Sequence, residues 1–410
     1  MIQPASGLFS WLSAGRNQIR DLSIETFVPN LKIQFAREFP ERVTALTTFA
    51  NHEGLNSDIF VGTSPAGHLY RFSPDLPPGV TSTIATGLGD VVHFGTCEVG
   101  SIAIGDLDHD DKPELLAATS QVEPVGRPRL YVWSLENRPI FLGMARPEIA
   151  SSWSHGLGIL SFPALECSRA FSTFCGYGEL VEFQLRKESS TTGFQFEGVS
   201  WRTVGQLPAS GEQALAADAD NDGKQDLCLA TGFVPHQAAI LIYRVGEQGL
   251  DDQPKHRIDE DGRFGNVRFL VGEVSCDGRQ DVLAWWCTEL STGDCEIIRY
   301  RLGPDGVLDR EQVARGDAAL LWPRDGQMTM VDLNQDAQPE VWFATGSGNL
   351  WRYDRNQEQQ LTQAAYLRGE VGPIAAGTTG LDRCPCLYIG CDRLVLEVRQ
   401  QKHAGKRDKL

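Results

Sequence analysis

Several features of common protein classes are missing from the sequence, and each absence excludes a class. There is no run of about 18 apolar residues, so no segment is expected to cross the membrane as a helix. The first residues carry no basic stretch ahead of an apolar one, as a secretion signal would, and a cytoplasmic location is therefore expected. No long segment repeats its apolar residues every 3.6 positions, which argues against a helical fold.

Catalytic and nucleotide-binding motifs are also absent. The sequence has no nucleophile elbow, no HExxH zinc motif, no P-loop and no dinucleotide-binding fingerprint. Its 8 histidines are scattered, and their spacing defines no catalytic set. We therefore expect a protein that is not an enzyme.

Basic residues are in the minority, whereas glycine is abundant. The 410 residues include 37 Lys and Arg against 54 Asp and Glu, a formal net charge of −17. Such a chain repels phosphate backbones, so no nucleic-acid partner is expected. Its carboxylates can instead serve as cation ligands. Glycine occurs 42 times, about a tenth of the chain against about 7% on average, which indicates many turns between short strands.

A repeat of about 56 residues runs through the chain. Each copy contains a β-type run, a polar loop, a second β-type run, then a third run, and most copies have room for a fourth. The second runs begin, at steps of 56, 56, 56, 55, 59 and 46 residues, at Asp58, Glu114, Ala170, Asp226, Asp281, Glu340 and Cys386. This pattern predicts an all-β fold, a seven-bladed β-propeller of four-stranded antiparallel blades.

The register of the repeats also predicts how the ring closes. The seventh copy supplies only three runs and ends near Gln400. Residues 31–39 alternate apolar and polar side chains, so we assign them to the outer edge of the seventh blade, paired with 393–399. This strand would cover an otherwise exposed sheet edge; the alternative is that it only leads into the first blade. The expected organisation is an N-terminal extension (1–30), the propeller (31–400) and a basic tail (401–410).

The loop between the first and second runs is rich in oxygen ligands in three copies. In the fourth copy, carboxylates stand at loop positions 1, 3, 5 and 9, with glycine at position 6 and a backbone carbonyl available at position 7. Ca²⁺ takes six to eight oxygen ligands from such tightly curled loops. The candidate metal ligands of this copy are Asp218, Asp220, Asp222, Lys224 through its carbonyl, and Asp226.

Two other copies keep this spacing. The second offers Asp106, Asp108, Asp110, Lys112 through its carbonyl, and Glu114. The sixth offers Asp332, Asn334, Asp336, Gln338 through its carbonyl, and Glu340. Asp111 and Ala337 stand where the fourth copy has Gly223, which costs free energy if the turn needs a positive φ. The fifth copy is weaker, the first does not keep the spacing, and the third and seventh have lost the ligands.

An EF-hand is excluded, because position 12 is not glutamate in any of these loops and falls within a β-type run. The loops and their flanking strands resemble instead the FG-GAP (or VCBS) repeats of the integrin-α-type seven-bladed β-propeller, whose loop pattern is D-x-[DN]-x-D-G-x-x-D-hydrophobic. Phe94-Gly95 and Phe264-Gly265, each just before an inner strand, match the name-giving FG pair. The resemblance spans about residues 31 to 400 and implies structural Ca²⁺ in these hairpins.

Function is expected at the end of the ring opposite the metal hairpins. The longest expected loops, 121–129, 233–239 and 288–294, follow second strands and lie at that end. We expect a non-enzymatic interaction propeller, a scaffold or complex subunit, that binds another protein there. The integrin-type resemblance implies the same face by analogy. The candidate partner-binding residues are Trp153, His155, Phe264 and Trp322.

Three alternatives stay open from the sequence. Related folds include lectins and Trp side chains stack on sugars, so a carbohydrate-binding propeller is the rival function. A protein partner could also bind the outer rim or the apolar segment 7–14 instead of the loop face. Cys287 and Cys295 bracket a predicted hairpin and either form a disulfide or fill strand ends as small apolar side chains.

Overall fold

The computed structural model of the chain describes residues 24–50, 57–74, 81–86, 88, 96–122, 128–135, 139–149, 153–162, 165, 167–175, 178–190, 193–233, 236–246, 249–287, 294–317, 327–357, 360–379 and 383–400. Every strand or helix element within these ranges is a β-strand. No helix long and apolar enough to cross a membrane occurs in them.

The first strands in the chain are β1 (Ile24–Thr26) and β2 (Leu31–Glu38). Blade one contains β3 (Arg42–Ala50), β4 (Ser57–Ser64), β5 (Leu69–Phe72) and β6 (Ser82–Ala85). Blade two contains β7 (Thr96–Gly105), β8 (Glu114–Val122), β9 (Arg129–Ser134) and β10 (Ile140–Ala145). Blade three contains β11 (Trp153–Phe162), β12 (Cys167–Cys175), β13 (Glu179–Ser190) and β14 (Gly193–Gln206).

Blade four contains β15 (Gly211–Ala217), β16 (Asp226–Phe233), β17 (His236–Gly246) and an interrupted outer strand, β18 (Gly249–Leu250) and β19 (His256–Phe264). Blade five contains β20 (Val267–Gly272), β21 (Asp281–Cys287), β22 (Asp294–Gly303) and β23 (Gly306–Asp317). Blade six contains β24 (Met328–Val331), β25 (Glu340–Ala344), β26 (Asn349–Tyr353), β27 (Leu361–Leu367) and β1. Blade seven contains β28 (Val371–Thr379), β29 (Cys384–Cys391), β30 (Leu394–Gln400) and β2.

These seven sheets form a seven-bladed β-propeller, which confirms the fold predicted from the repeat. The first strands of neighbouring blades contact one another around the whole ring. Seven apolar clusters fill the spaces between blades, one for each of the seven interfaces. The cluster between blades seven and one includes Tyr388 and Val43 and completes the ring.

The second strand of a blade is buried on both faces, which explains its continuous apolar run. Successive side chains on a strand point to opposite faces. In β21, Trp286 therefore packs in the cluster shared with blade four, while Trp285 packs in the cluster shared with blade six. Both Trp side chains are fully buried.

The N-terminal strand closes the ring as predicted. β2 is antiparallel to β30, with Phe35 opposite Leu396, so it forms the outer edge of blade seven. β1 adds a fifth strand to blade six, where Ile24 lies opposite Leu367. Sheet structure therefore begins before residue 31, inside the segment expected to be an extension.

The antiparallel order places the interstrand connections at two ends of the ring. Connections after first and third strands lie at one end, which we call the metal-loop end, and those after second and outer strands lie at the other, the opposite end. The prediction of a long loop at 233–239 is wrong, because Phe233 already pairs with His236. Residues at the start of β17 pair with β19 as well, which extends the strand through most of that range.

Candidate metal centres in the blade loops

Four loops at the metal-loop end, in blades two, four, five and six, share one backbone conformation. Position 4 has a positive φ in all four, at His109, Asn221, Cys276 and Gln335. Position 6 does too, with values of 62°, 83°, 80° and 68° at Asp111, Gly223, Gly278 and Ala337. The turn therefore needs the left-handed conformation that glycine adopts most easily, and blades two and six form it without glycine.

The carboxylate at position 1 holds this turn together. Asp218 accepts hydrogen bonds from the backbone N–H groups of Asp222 (3.1 Å) and Gly223 (3.0 Å). The same two bonds recur in blade two at Asp106 and in blade six at Asp332. The loop is thus curled by its own side chains, which brings its remaining oxygens to one side.

The carboxylate at position 9 comes from the first residue of the second strand and is deeply buried. One oxygen accepts the backbone N–H of position 2, at 2.7 Å in Glu114, 3.3 Å in Asp226 and 3.0 Å in Glu340. The second oxygen of Asp226, Oδ1, is buried with no hydrogen-bond partner, as is Oε1 of Glu340. A buried acceptor left without a donor costs free energy, and a cation would remove that cost.

Blades two and four bring three carboxylates close enough to share an ion. The ligand atoms of each group all lie within 4.8 Å of one another, in the sets Asp106, Asp108, Glu114 and Asp218, Asp220, Asp226. Two oxygens bound to one Ca²⁺ at about 2.4 Å can be at most about 4.8 Å apart. These two groups are the acidic clusters of this kind within the described ranges.

Burial and the neighbouring charges make the position-9 carboxylate of each cluster hard to ionise without a cation. Burial raises the pKa of Glu114 to about 8, and the charges of Asp108, Asp106 and Asp110 add to the effect. Burial also raises the pKa of Asp226 to about 7, with further contributions from Asp220 and Asp222. A divalent ion would favour the charged forms and reverse both shifts.

In blade five, arginines occupy the place that a cation would take. Arg299 donates to Asp281 Oδ1 at 3.1 Å and to Ser275 Oγ at 3.1 Å. Arg301 donates to the same Asp281 oxygen at 3.0 Å and pairs with Asp277 at 2.7 Å. The loop is thus neutralised from within its own blade, in keeping with the weakness of its sequence match.

One position on the third strand separates the blades that have an arginine beside the loop from those that have an aliphatic side chain there. It lies opposite loop position 11, two residues after the position-9 carboxylate. It is arginine in blades one, five and six, and aliphatic in blades two and four, as Arg71, Arg299, Arg352, Val132 and Ile242 respectively. The two acidic clusters thus occur in the blades that lack this arginine.

Blade six is therefore a weaker metal candidate than its spacing indicates. Its cluster has Asn334 at position 3 in place of an aspartate. Burial raises the pKa of Glu340 to about 7, but the charge of Arg352 acts in the opposite direction. The predicted ligands do come together as a loop, since Asp336 donates its N–H to both Asp332 and Asn334.

In blade four the structure adds two residues that the sequence did not point to. The Lys255 ammonium contacts Asp220 Oδ2 and lies 3.6 Å from Asp222 Oδ2. His256 Nε2 lies 3.2 Å from the same Asp220 oxygen. Although burial acts to raise it, the pKa of Asp220 is lowered by these two hydrogen bonds. Both residues lie about 35 positions from Asp220 in the sequence.

Position 4 of each acidic loop connects its blade to the next one. In blade two, His109 Nε2 lies 2.9 Å from Ser168 Oγ of blade three. In blade four, the Asn221 side chain donates to the Gln280 carbonyl and accepts its N–H, at 3.0 and 2.6 Å. A change in the conformation of either loop would therefore also affect the interface between its blade and the next one.

The predicted partner-binding residues are only partly described. His155 is half-buried near the start of β11, at the opposite end of the ring. Trp153 is the first residue of β11 and Phe264 is the last residue of β19, so both lie at the opposite end as well. Only their backbones are described. Trp322 lies outside the described residues, as do 123–127 and 288–293 of the expected loops. Between Cys287 and Cys295, at the base of the last loop, the structure forms a disulfide.

Comparison with known proteins does not extend these observations. No family model matches the chain, and a search of curated proteins finds no match.

Proposed function

We propose that the chain is a non-enzymatic, calcium-binding β-propeller that uses the opposite end of the ring to bind another protein. The observation that carries the calcium part is the pair of three-carboxylate clusters in blades two and four. Their loop pattern is also the basis of the resemblance to FG-GAP repeats. We propose membership of that family on the same ground.

Calcium binding explains these clusters better than a metal-free turn does. A metal-free turn explains the carboxylates at positions 1 and 5, which accept backbone N–H groups. It does not explain the buried and unsatisfied Oδ1 of Asp226. It also leaves Glu114 buried among three other carboxylates, which raise its pKa together with burial. Hard oxygen ligands of this kind favour Ca²⁺ over softer metals.

The role of the ion would be structural. All candidate ligands come from one loop and the start of the next strand, which leaves no arranged nucleophile beside the metal. Because the same loops contact the neighbouring blade, an ordered loop would stabilise the interfaces between blades two and three and between blades four and five. An ion that binds only the folded protein stabilises it by about 2.7 kcal/mol at a hundred times its dissociation constant.

The opposite end is the better candidate for partner binding. At the metal-loop end, the polar atoms of the acidic loops are committed to the turn and to the ion. At the opposite end, the Cys287–Cys295 disulfide fixes the base of one of the expected binding loops. A loop held at its base loses less conformational entropy on binding. The outer rim is the alternative surface, with Phe141 of blade two and Leu308 of blade five both exposed.

Thermal unfolding tests the calcium part directly. We expect Ca²⁺ to raise the unfolding temperature relative to chelator, and Mg²⁺ to do so less, because it dehydrates reluctantly. The combined variant Asp106→Asn and Asp218→Asn should lose most of this response. Asp277→Asn is the matched control, since blade five is neutralised by Arg301, and it should keep the full response. An equal calcium effect in all three proteins would argue against the loops as the sites.

The partner part needs a separate experiment. Affinity capture from the native source, with and without chelator, should identify a bound protein. Alanine substitution of His155, near the opposite end, should weaken that binding. Alanine substitution of His109 in a metal loop should weaken it only through calcium. If deletion of residues 1–14 abolishes binding while loop changes do not, the opposite end is not the binding surface.

A carbohydrate-binding propeller remains the second candidate, supported by one observation. A cavity of about 810 Å³ lies on the outer parts of blades three and four. Its lining is mostly polar and includes Arg202, Gln206, Asp251 and Asp252 beside Tyr243. Sugars are bound by planar polar side chains of this kind together with an aromatic ring. A glycan array, followed by Asp252→Asn for any hit, would distinguish this function from protein binding.

A further inference from the structure

We infer that Lys255 is a tethered cation that competes with calcium in blade four and so sets the calcium affinity of that blade below that of blade two. The inference rests on the proposed calcium binding and goes one step beyond it, because it names the residue that makes the two sites unequal.

The geometry places the lysine ammonium within the cluster of carboxylates rather than beside the cluster. Its ammonium contacts Asp220 Oδ2 and lies 3.6 Å from Asp222 Oδ2. Asp220 is fully buried, and the Lys255 side chain is only 20% exposed. A buried ion pair of this kind persists only when the charges compensate each other. Lys255 therefore supplies positive charge to the cluster in the absence of metal.

An interruption of the outer strand brings the lysine to this place. β18 ends at Leu250 and β19 begins at His256, and both pair with β17. The intervening residues, 251–255, leave the strand at the metal-loop end, and Lys255 is the last of them. His256 then lies opposite Ile242 in the register of β17 and β19.

Blade two provides an internal comparison without the lysine. Its third-strand residue Val132 corresponds to Ile242, and Val132 lies opposite Gly143 of the outer strand. The residues that correspond to Lys255 and His256 are therefore Leu142 and Gly143. Neither can carry a positive charge. Within the described residues, the two acidic loops thus share their conformation and the positions of their carboxylates, with Glu114 in place of Asp226, whereas Lys255 has no counterpart in the outer strand of blade two.

The lysine does not complete the cluster, which is why a metal ion can replace it. Oδ1 of Asp226 stays buried without a hydrogen-bond partner although Lys255 is present. An ammonium group offers three donors, whereas Ca²⁺ takes six to eight oxygens and carries twice the charge. When calcium binds, the ammonium must move away from Asp220, and its repulsion of the ion lowers the affinity. His256 keeps its contact with Asp220 without needing a charge.

The test measures calcium binding to blade four alone, by calorimetry in a Glu114→Gln background that removes the blade-two site. We expect Lys255→Met to raise the calcium affinity of blade four by about tenfold or more, because calcium then no longer has to displace an ammonium group from Asp220. Lys255→Arg is the matched control that keeps the charge, and it should change the affinity by no more than about threefold.

A second measurement on the unaltered protein does not depend on how the variants fold. Reductive methylation read by mass spectrometry should label Lys255 several-fold faster with calcium than with chelator, because calcium releases its ammonium. The exposed Lys32 of β2, which lies in blade seven, is the reference and should not change.

The possible results separate this inference from the proposed function. If Lys255→Met leaves the calcium affinity of blade four unchanged, and calcium does not alter the methylation rate of Lys255, the inference is wrong while calcium binding stands. If neither blade two nor blade four binds calcium in any of these proteins, the proposed function fails as well.

Discussion

At the scale of single residues, the carboxylate at loop position 9 is the main observation behind the proposed metal sites. It is the first residue of the second strand and is buried in blades two, four and six. Only one of its two oxygens accepts a hydrogen bond from the loop backbone. Removing its charge should therefore have opposite effects with and without calcium. Glu114 allows the clearest test, because its pKa is raised furthest, to about 8.

The substitution Glu114→Gln should stabilise the metal-free protein at neutral to alkaline pH. A carboxyl with a raised folded-state pKa favours the protonated form, so its folded state loses stability as pH rises from the unfolded pKa of about 4.5 to about 8. We expect the variant and the parent to be equally stable near pH 4.5. At pH 8 in chelator the variant should be more stable by about 2 kcal/mol. Thermal or urea unfolding across this pH range measures the difference.

With calcium present the order should reverse, because the variant loses a charged ligand of blade two. The control is Glu340→Gln in blade six, where Arg352 already compensates part of the charge. That variant should show a smaller metal-free gain and keep the calcium response. A stability difference at Glu114 that does not change with pH would contradict the assignment of its charge as the cause.

The backbone at loop position 6 gives a second prediction at this scale. Ala337 has a φ of 68°, so Ala337→Gly should stabilise the protein by about 0.5–1 kcal/mol despite the entropy that glycine adds to the unfolded chain. Gly223→Ala should destabilise the protein, because φ is 83° there. No heavy atom lies within 4 Å of the added Cβ, so the backbone conformation alone is the cause. Chemical unfolding of both variants in chelator tests the pair, and equal signs would contradict it.

Lys255 is the residue that sequence reasoning could not find. It reaches Asp220 only because the outer strand of blade four is interrupted, and the repeat pattern contains no sign of that detour. The arginines of blades one, five and six are different. Arg71, Arg299 and Arg352 recur at the same place in the third runs HLYRF, EIIRY and NLWRY, whereas blade two has Val132 there. Aligned third strands would have predicted which loops are neutralised from within.

At the scale of the strand, β2 is the element that closes the ring. It covers β30, and its first residue Leu31 is buried in the cluster between blades six and seven. Removing residues 1–38 should cost on the order of 3 kcal/mol, since apolar burial is lost and a sheet edge is left unpaired. Removing residues 1–23 leaves β1 and β2 in place and is the control, so the additional loss in the shorter protein measures what residues 24–38 contribute. Equal stability of the two truncated proteins in urea unfolding would show that β2 does not close the ring.

The hairpin of β21 and β22 carries the disulfide, and the bridge should be measurable as stability. Cys287 and Cys295 are 8 residues apart and fully buried. Replacing both by alanine should cost about 2–3 kcal/mol, the expected entropy of a closed loop of this length. Reductant should lower the stability of the parent to the level of the variant and leave the variant unchanged. If reductant does not change the stability of the parent protein under unfolding conditions, the two cysteines are free thiols.

The disulfide also bears on location. Such bridges persist in oxidising compartments and are rare in the cytosol. If the bridge is found in protein isolated from its native source, it would weigh against the cytoplasmic location expected from the sequence. Mass spectrometry after alkylation without reduction gives that answer.

At the scale of the whole molecule, the repeat determined what could be predicted. Seven copies at a nearly constant step, with the seventh lacking a run, were sufficient for the blade number and for closure by residues 31–39. The addition of β1 to blade six was not predicted, because Ile24–Thr26 is only three residues long and has no repeat partner. The short connection after Phe233 was not predicted, because the apolar run that begins at Ile240 does not show that β17 already starts at His236.

The most direct test of the account is the number of calcium ions bound by the folded chain. Equilibrium dialysis at millimolar free calcium should give two ions per chain, one in blade two and one in blade four. Asp108→Asn and Asp220→Asn should each reduce this to one, and the double variant should bind none. No binding by the parent protein, or two ions still bound by the double variant, would contradict the assignment of calcium to these two loops.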